Sequence, residues 1–247
     1  HAMNRYMHEF GVTKKDFAEI AVVAREWAML NPKAVMHSKE THPFGGPIDL
    51  ETVLSSRPIA WPLNLLDCCL VTDHGGAVVI VSKEQATEYK NDPVWIEGSG
   101  EAISHINMSQ MEDMTMTSAH LSSKRAYEIA GMGPKDMEMA MLYDSFTYTA
   151  GVTAEMVGLA PRGEGTNLWK NGLASPKGKF PINTNGGGLS YSHSGMYGML
   201  LLVEAQRQLA GKASGLEGRQ TTAKSAIVNG TGGPLASTGT IILTVDR

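Results

Sequence analysis

Three consecutive glycines stand shortly before a histidine in the stretch 183–198, NTNGGGLSYSHSGMYG. Imidazole titrates near neutral pH, so His193 is the strongest candidate in the chain for a general acid/base or an oxyanion-binding group. Gly186, Gly187 and Gly188 forgo side chains just ahead of it, as a backbone does where bulk is excluded. Met196, Leu200, Val203, Ala205 and Leu209 then mark one buried face of a helix. That spacing sets His193 at a loop-to-helix junction, where free amide donors and the positive end of a helix dipole also lie.

Three further stretches carry groups able to do chemistry. YDSF (143–146) closes an apolar run; Tyr143 can donate a hydrogen bond, and Asp144 can cap the helix that follows. NGTGG (229–233) reads as the link between two strands. Its amides can line a pocket, and a plain glycine hairpin fits nearly as well. DCCLVTDHGGA (67–77) sets two adjacent cysteines near His74. A thiol nucleophile needs a base and a lowered pKa. Only His74 offers that, so Cys68 and Cys69 read as structural and the stretch as a tight turn.

The elements that position these groups follow from periodicity and punctuation. In TKKDFAEIAVVAREWAMLNP, Thr13 is the N-cap with Asp16 three residues on. Phe17, Ile20, Ala24, Trp27 and Leu30 share one face, and Asn31-Pro32 stops the helix. Residues 33–66 lack a sustained period and read as long loops with short helices, and 162–180 reads as a loop. GGAVVIVS (75–82) is a short continuous apolar run, the pattern of a strand buried on both faces. The polar, proline-ended segment 83–92 is the best domain boundary. Beyond it, strands are expected at VWIEGSGEAIS, MEMAMLYD, AKSAIVNG and TGTIILTV, with helices over 118–131 and in FTYTAGVTAEMVGLA. Strands alternating with helices imply a layered α/β fold with a mixed sheet.

Composition narrows the function class. The 247 residues are 42% hydrophobic and 19% charged, with a net charge of -4. That balance, without a long Lys/Arg run, argues against a nucleic-acid partner. No apolar stretch has the length of a membrane span, and the chain does not open on a secretory signal. The two cysteines are adjacent, which suits a reducing, cytoplasmic setting and makes a poor zinc site.

Taken in order, these motifs resemble the later part of a thiolase, in the sterol-carrier-protein and lipid-transfer-protein branch of that superfamily. The resemblance runs from RYMHEFGVT and LDCCLVTDHGGA, through YDSFT and FPINTNGGGLSYSH, to VEAQRQLAG and NGTGG. Thiolases of this branch carry a nucleophilic CxS motif, then HDCF, GHP and CxG. Tyr143-Asp144-Ser145-Phe146 stands at HDCF, Ser192-His193-Ser194 at GHP, and Gly230-Thr231-Gly232 at CxG. The resemblance implies a thiolase-like α/β layered fold with a mixed five-stranded sheet flanked by helices. Residues 1–82 would supply a covering loop domain and the last strands of an N-terminal domain, and 93–247 the C-terminal domain. It also implies a coenzyme A thioester as substrate, no tightly bound cofactor or metal, and a homodimer. His193 and Tyr143 would be catalytic; Gly232, Gly230, Ser145 and Asp144 would form an oxyanion pocket. Gly187, Gly188 and Asn185 would lie against the acyl-CoA.

The departures are chemical. The HDCF histidine and cysteine are Tyr143 and Ser145, the CxG cysteine is Gly230, and neither Cys68 nor Cys69 stands in the CxS motif. The first reading is therefore the C-terminal part of an acyl-CoA acyltransferase of acetyl-CoA acetyltransferase type, with its nucleophilic cysteine outside this sequence. The second is a retro-aldol lyase on acyl-CoA, for which Tyr143 speaks and His193 does not. Relatives of that kind work with a small OB-fold, zinc-ribbon partner protein. The third is a non-catalytic acyl-CoA-binding subunit.

Overall fold

Thr13 begins the helix as its sequence marks it. Its amide donates to Asp16 at 2.7 Å, and α2 runs over Lys14–Leu30 with Phe17, Ile20, Ala24 and Trp27 buried. The computed structural model describes residues 1–90 and 92–245 of the chain, so the carboxy-terminal pair and Asn91, within the expected boundary at 83–92, lie outside the described residues. Helix α1 spans Ala2–Phe10 and buries Tyr6 against Phe17. The expected loops at 33–66 contain α3 (Leu50–Ser55) and a small hairpin, β1 (Pro58–Ala60) with β2 (Leu63–Asn64). A single turn, α4 (Lys83–Ala86), follows.

The principal sheet is built from β3 (Trp95–Ile103), β4 (Met139–Leu142), β5 (Ser225–Gly232) and β6 (Ser237–Thr244), in the order β3-β6-β5-β4. Only β4 and β5 are parallel. The sheet is mixed, as expected, but it has four strands rather than five. At the outer edge of β4 the fifth position shrinks to one parallel bridge between Ala140 and Ile182. Pro181 has no N–H to give there, and at Asn183, φ 53°, the side chain takes over the pairing, bonding both the amide and the carbonyl of Leu142.

Apolar alternation sorts the strands between two cores. Ala140, Leu142, Ile227 and Ile242 face a layer formed by α2, α5 (Ala119–Ala130) and α6 (Thr147–Met156). Met139, Met141, Val228 and Leu243 face the other layer, led by α9 (Gly198–Leu209). Helix α5 lies unusually close to β3, because a Cβ on Gly100 would stand 2.2 Å from the Ser122 carbonyl oxygen. The two short helices α7 (Asn167–Lys170) and α8 (Gly187–Ser190) lie against α2.

Two sequence expectations fail here. Residues 75–82 form no strand: a strand takes its hydrogen bonds from a neighbour, and none of the described residues pairs with them. Val79 and Ile80 are exposed, and Gly76 instead runs beside Met199 and Leu200 of α9. Residues 229–232 are not the link between the last strands but the end of β5, and the turn is 233–236. Among the described residues, no helix is long and apolar enough to cross a membrane.

Candidate active site

Tyr143 extends β4 by one residue, its amide donating to the Asn229 carbonyl at 3.1 Å. The chain then turns, and α6 starts after Phe146, which occupies the N-cap without a side-chain bond. Asp144 therefore does not cap the helix that follows it. Its carboxylate crosses to α8, accepting the Gly188 amide at 2.7 Å and the Leu189 amide at 3.4 Å. It caps a helix distant in sequence, and this fixes the 143–146 loop against the 187–193 segment.

The glycines answer to that carboxylate. A Cβ on Gly187, whose φ is +70°, would lie 2.0 Å from Asp144 Oδ2. One on Gly188 would meet His193 Cδ2 at 2.9 Å, and one on Gly186 would meet Ala28 Cβ at 2.7 Å. Bulk is excluded by the protein's own groups: Gly187 and Gly188 pack on Asp144 and His193, where sequence reasoning set them against a ligand. Asn185 is also inward. Its Oδ1 accepts from the Gly187 amide and the Tyr197 hydroxyl, and its carbonyl accepts from Asn31.

His193 lies in the loop between α8 and α9, four residues short of the Tyr197 N-cap of α9. Its own amide is not free, because it donates to Thr72 Oγ1 at 3.0 Å. The imidazole meets the Tyr143 ring edge-on at 5.4 Å and stacks on Tyr197 at 5.9 Å. Burial holds its pKa below the ordinary histidine value, and its buried Nε2 has no hydrogen-bond partner among the described residues. A neutral ring with an unpartnered nitrogen beside a phenol has the chemistry of a proton-transfer pair.

A cavity of about 450 Å³ opens next to this pair. Tyr143, Ser145, Thr231 and Gly232 contribute to its wall, with apolar surface from Trp61 and Leu63 of the β1–β2 hairpin. Burial pushes the Tyr143 phenol above its usual pKa, so it is a donor at neutral pH. Its hydroxyl makes a long contact, 3.4 Å, with the Gly195 carbonyl and a hydrogen bond with the Tyr197 backbone. Gly230 faces elsewhere, lining a separate groove with Gly198 and Gly239. Cys68 and Cys69 do not line the cavity, and burial lifts both thiols to about 11. Neither is a thiolate at neutral pH. Among the described residues, no three His, Cys, Asp or Glu side chains converge as a metal-holding group.

So the structure brings together Tyr143, Ser145, Gly232 and His193, and it sets Asp144, Asn185, Gly187 and Gly188 behind them as support. Sequence reasoning missed Trp61, Leu63 and Thr72. The hairpin residues lie where no period is visible, and Thr72 lies in a stretch read as a turn.

A family model described as "Thiolase C-terminal domain-like" matches residues 100–245. The chain belongs to the thiolase superfamily, in its sterol-carrier-protein branch. It is 35% identical over 98% of its length to a protein of Thermomonospora curvata named steroid side-chain-cleaving aldolase, covering 60% of that protein. It is 30% identical over 94% of its length to an acetyl-CoA acetyltransferase of Methanothermobacter thermautotrophicus, covering 59%. A solved structure titled Ltp2-ChsH2(DUF35) aldolase superposes with a TM-score of 0.84 at 30% identity, over all of this chain and 62% of that one. This thiolase-superfamily chain thus spans about 60% of the length of the relatives it matches.

Within the superfamily fold, Asp144 has a measurable signature. Complete burial raises its pKa to about 7, against the lowering effect of the Gly188 and Leu189 amides. The ordinary aspartate value is about 3.9. Between the two, the unfolded chain has released this proton while the folded chain keeps it, so this group makes stability fall as pH rises through that window. Carboxyl ¹³C titration is expected to give an Asp144 midpoint near 7, and the Asp144→Asn variant should lose that part of the pH dependence of unfolding. A midpoint near the ordinary value would mean that the capping amides outweigh burial.

Proposed function

We propose that this chain supplies the proton-transfer groups of a carbon–carbon lyase that cleaves a β-hydroxyacyl thioester of coenzyme A by retro-aldol chemistry. The observation that carries this reading is Tyr143. A neutral phenol lines the cavity, and both thiols lie outside it with raised pKa values. Thiolysis needs a thiolate to hold the acyl group; retro-aldol cleavage needs only acid–base groups. In the cleavage the β-hydroxyl gives up its proton as the carbonyl forms. The electrons of the breaking bond pass to the thioester as an enolate, and the enolate carbon then gains a proton. Neutral His193, whose buried Nε2 has no partner among the described residues, would take the first proton, and the Tyr143 phenol on the cavity wall would give the second. Gly232 and Ser145 line the same wall, where the thioester oxygen would gather charge. The aldolase name of a relative 35% identical supports this assignment. A protein partner belongs to the proposal, since the similar aldolase structure is titled as a complex. So does a homodimer.

A second reading keeps the acyltransferase, with the nucleophilic cysteine supplied from outside this chain. The histidine retained at the GHP position and the acetyltransferase name of a relative favour it. The two separate on free coenzyme A. With the complete protein and its partner, a β-hydroxyacyl-CoA should yield a carbonyl compound and a shorter acyl-CoA without consuming coenzyme A. A protein inactive on that substrate that instead cleaves a β-ketoacyl-CoA, and only when free coenzyme A is present, would move the assignment to the acyltransferase. Under either reading His193→Ala should lower kcat by about 10²–10³, the scale for one lost stabilising group, and steady-state turnover of the variant checks it.

A further inference from the structure

Residues 69–74 run as a strap across both loops of the site. The Cys69 amide donates to the Ser145 carbonyl at 2.9 Å, and the Leu70 amide donates to the Gly188 carbonyl at 3.0 Å. Thr72 then grips His193 twice. Its amide donates to the His193 carbonyl at 3.3 Å, and its hydroxyl oxygen accepts the His193 amide at 3.0 Å. The same hydroxyl lies 2.7 Å from Ser192 Oγ, which in turn lies 3.0 Å from His74 Nδ1. The loop holding His193 has few other anchors: Ser194, Gly195 and Met196 are not buried. Gly188 leaves the ring its place, since a Cβ there would stand 2.9 Å from His193 Cδ2.

The geometry points to Thr72 as the positioning residue of the site: its hydroxyl fixes the His193 backbone, and through it the imidazole, against the Tyr143 ring. This rests on the assignment of His193 and Tyr143 as the proton-transfer pair and adds the group that sets their separation. The Thr72 hydroxyl can accept the His193 N–H while donating to Ser192 Oγ, so one side chain satisfies two adjacent residues. Removing the oxygen while keeping the shape leaves the His193 N–H without its acceptor and frees Ser192 to turn. A displacement of about an ångström between reacting groups is enough to slow chemistry by orders of magnitude while leaving substrate affinity in place.

The test reads the ring directly. Stacking on Tyr197 and edge contact with Tyr143 shift the His193 ring resonances, which are assigned by their loss in the His193→Gln variant. In Thr72→Val these resonances should move toward exposed-histidine positions, whereas Thr72→Ser, which keeps the hydroxyl, should leave them in place. In turnover by the complete protein, Thr72→Val should lower kcat about tenfold at unchanged KM, with recovery in Thr72→Ser. If the valine variant does not fold, Thr72→Ala takes its place. Ring resonances that stay fixed in the valine or alanine variant, or that move equally in the serine variant, would overturn the positioning role. A displaced ring with undiminished cleavage would leave Thr72 as the anchor and remove His193 from the reaction, so failure of the two assignments is told apart.

Discussion

Tyr143→Phe is expected to abolish retro-aldol cleavage in practical terms, lowering kcat by about 10²–10⁴, the range for removing a positioned proton donor. In the folded protein the hydroxyl makes a 3.4 Å contact with the Gly195 carbonyl and a hydrogen bond with the Tyr197 backbone. The ring does the structural work, packing edge-on against both His193 and Tyr197. Phenylalanine keeps that packing, so thermal unfolding should be nearly unchanged while turnover collapses. Substrate affinity should change far less than kcat, because the group acts on charge that develops only during bond cleavage. An acyltransferase would respond differently, since there Tyr143 would only assist His193, and the loss should be modest. Assays of cleavage and of thiolysis on the wild type and this variant therefore measure the same side chain under both assignments. A phenylalanine variant that cleaves at the wild-type rate would exclude Tyr143 as the proton-transfer group.

The largest loss of stability is expected away from the cavity, at Glu204. This carboxylate, 3% exposed, pairs with Arg219 at 2.6 Å. Its other oxygen accepts from the Thr184 hydroxyl at 2.6 Å and the Gln208 amide at 3.0 Å. Arg219 is equally buried, and its Nε already has no hydrogen-bond partner. Glu204→Ala strands a guanidinium in the interior and should cost about 3–5 kcal/mol, the usual penalty for breaking a buried pair on one side. Replacing both partners with apolar side chains of similar volume should recover much of the loss, because the desolvation of two charges disappears with them. Urea unfolding midpoints of the single and double variants measure both effects. Thr184 directly precedes Asn185 and the glycines, so the single variant should also loosen the segment that carries Asp144's partners. A single variant as stable as the wild type would show that Arg219 finds another neighbour or water.

Much of this protein was legible in its sequence wherever the signal is local. Helix α2 begins and ends where Thr13, Asp16 and Asn31-Pro32 set its limits, because capping and periodicity are decided within a few residues. Strands β4, β5 and β6 follow from apolar runs that alternate between two cores. The motif order also carried the family and drew Tyr143, Ser145, Gly232 and His193 to one place, three of them on the wall of one cavity and His193 against Tyr143. What only the tertiary structure decided concerns partners distant in sequence. The run at 75–82 has the composition of a buried strand, yet composition does not supply the neighbouring strand that hydrogen-bonds it. Gly187 could be recognised as a place where bulk is excluded, but the excluding group, Asp144, lies 43 positions away by numbering. Asp144 looked like the cap of its own helix and became the cap of another, because the fold brings the Gly188 and Leu189 amides of α8 to its carboxylate. Thr72 carried no sequence signal at all: a hydroxyl becomes a positioning group only when the fold lays its strap beside His193.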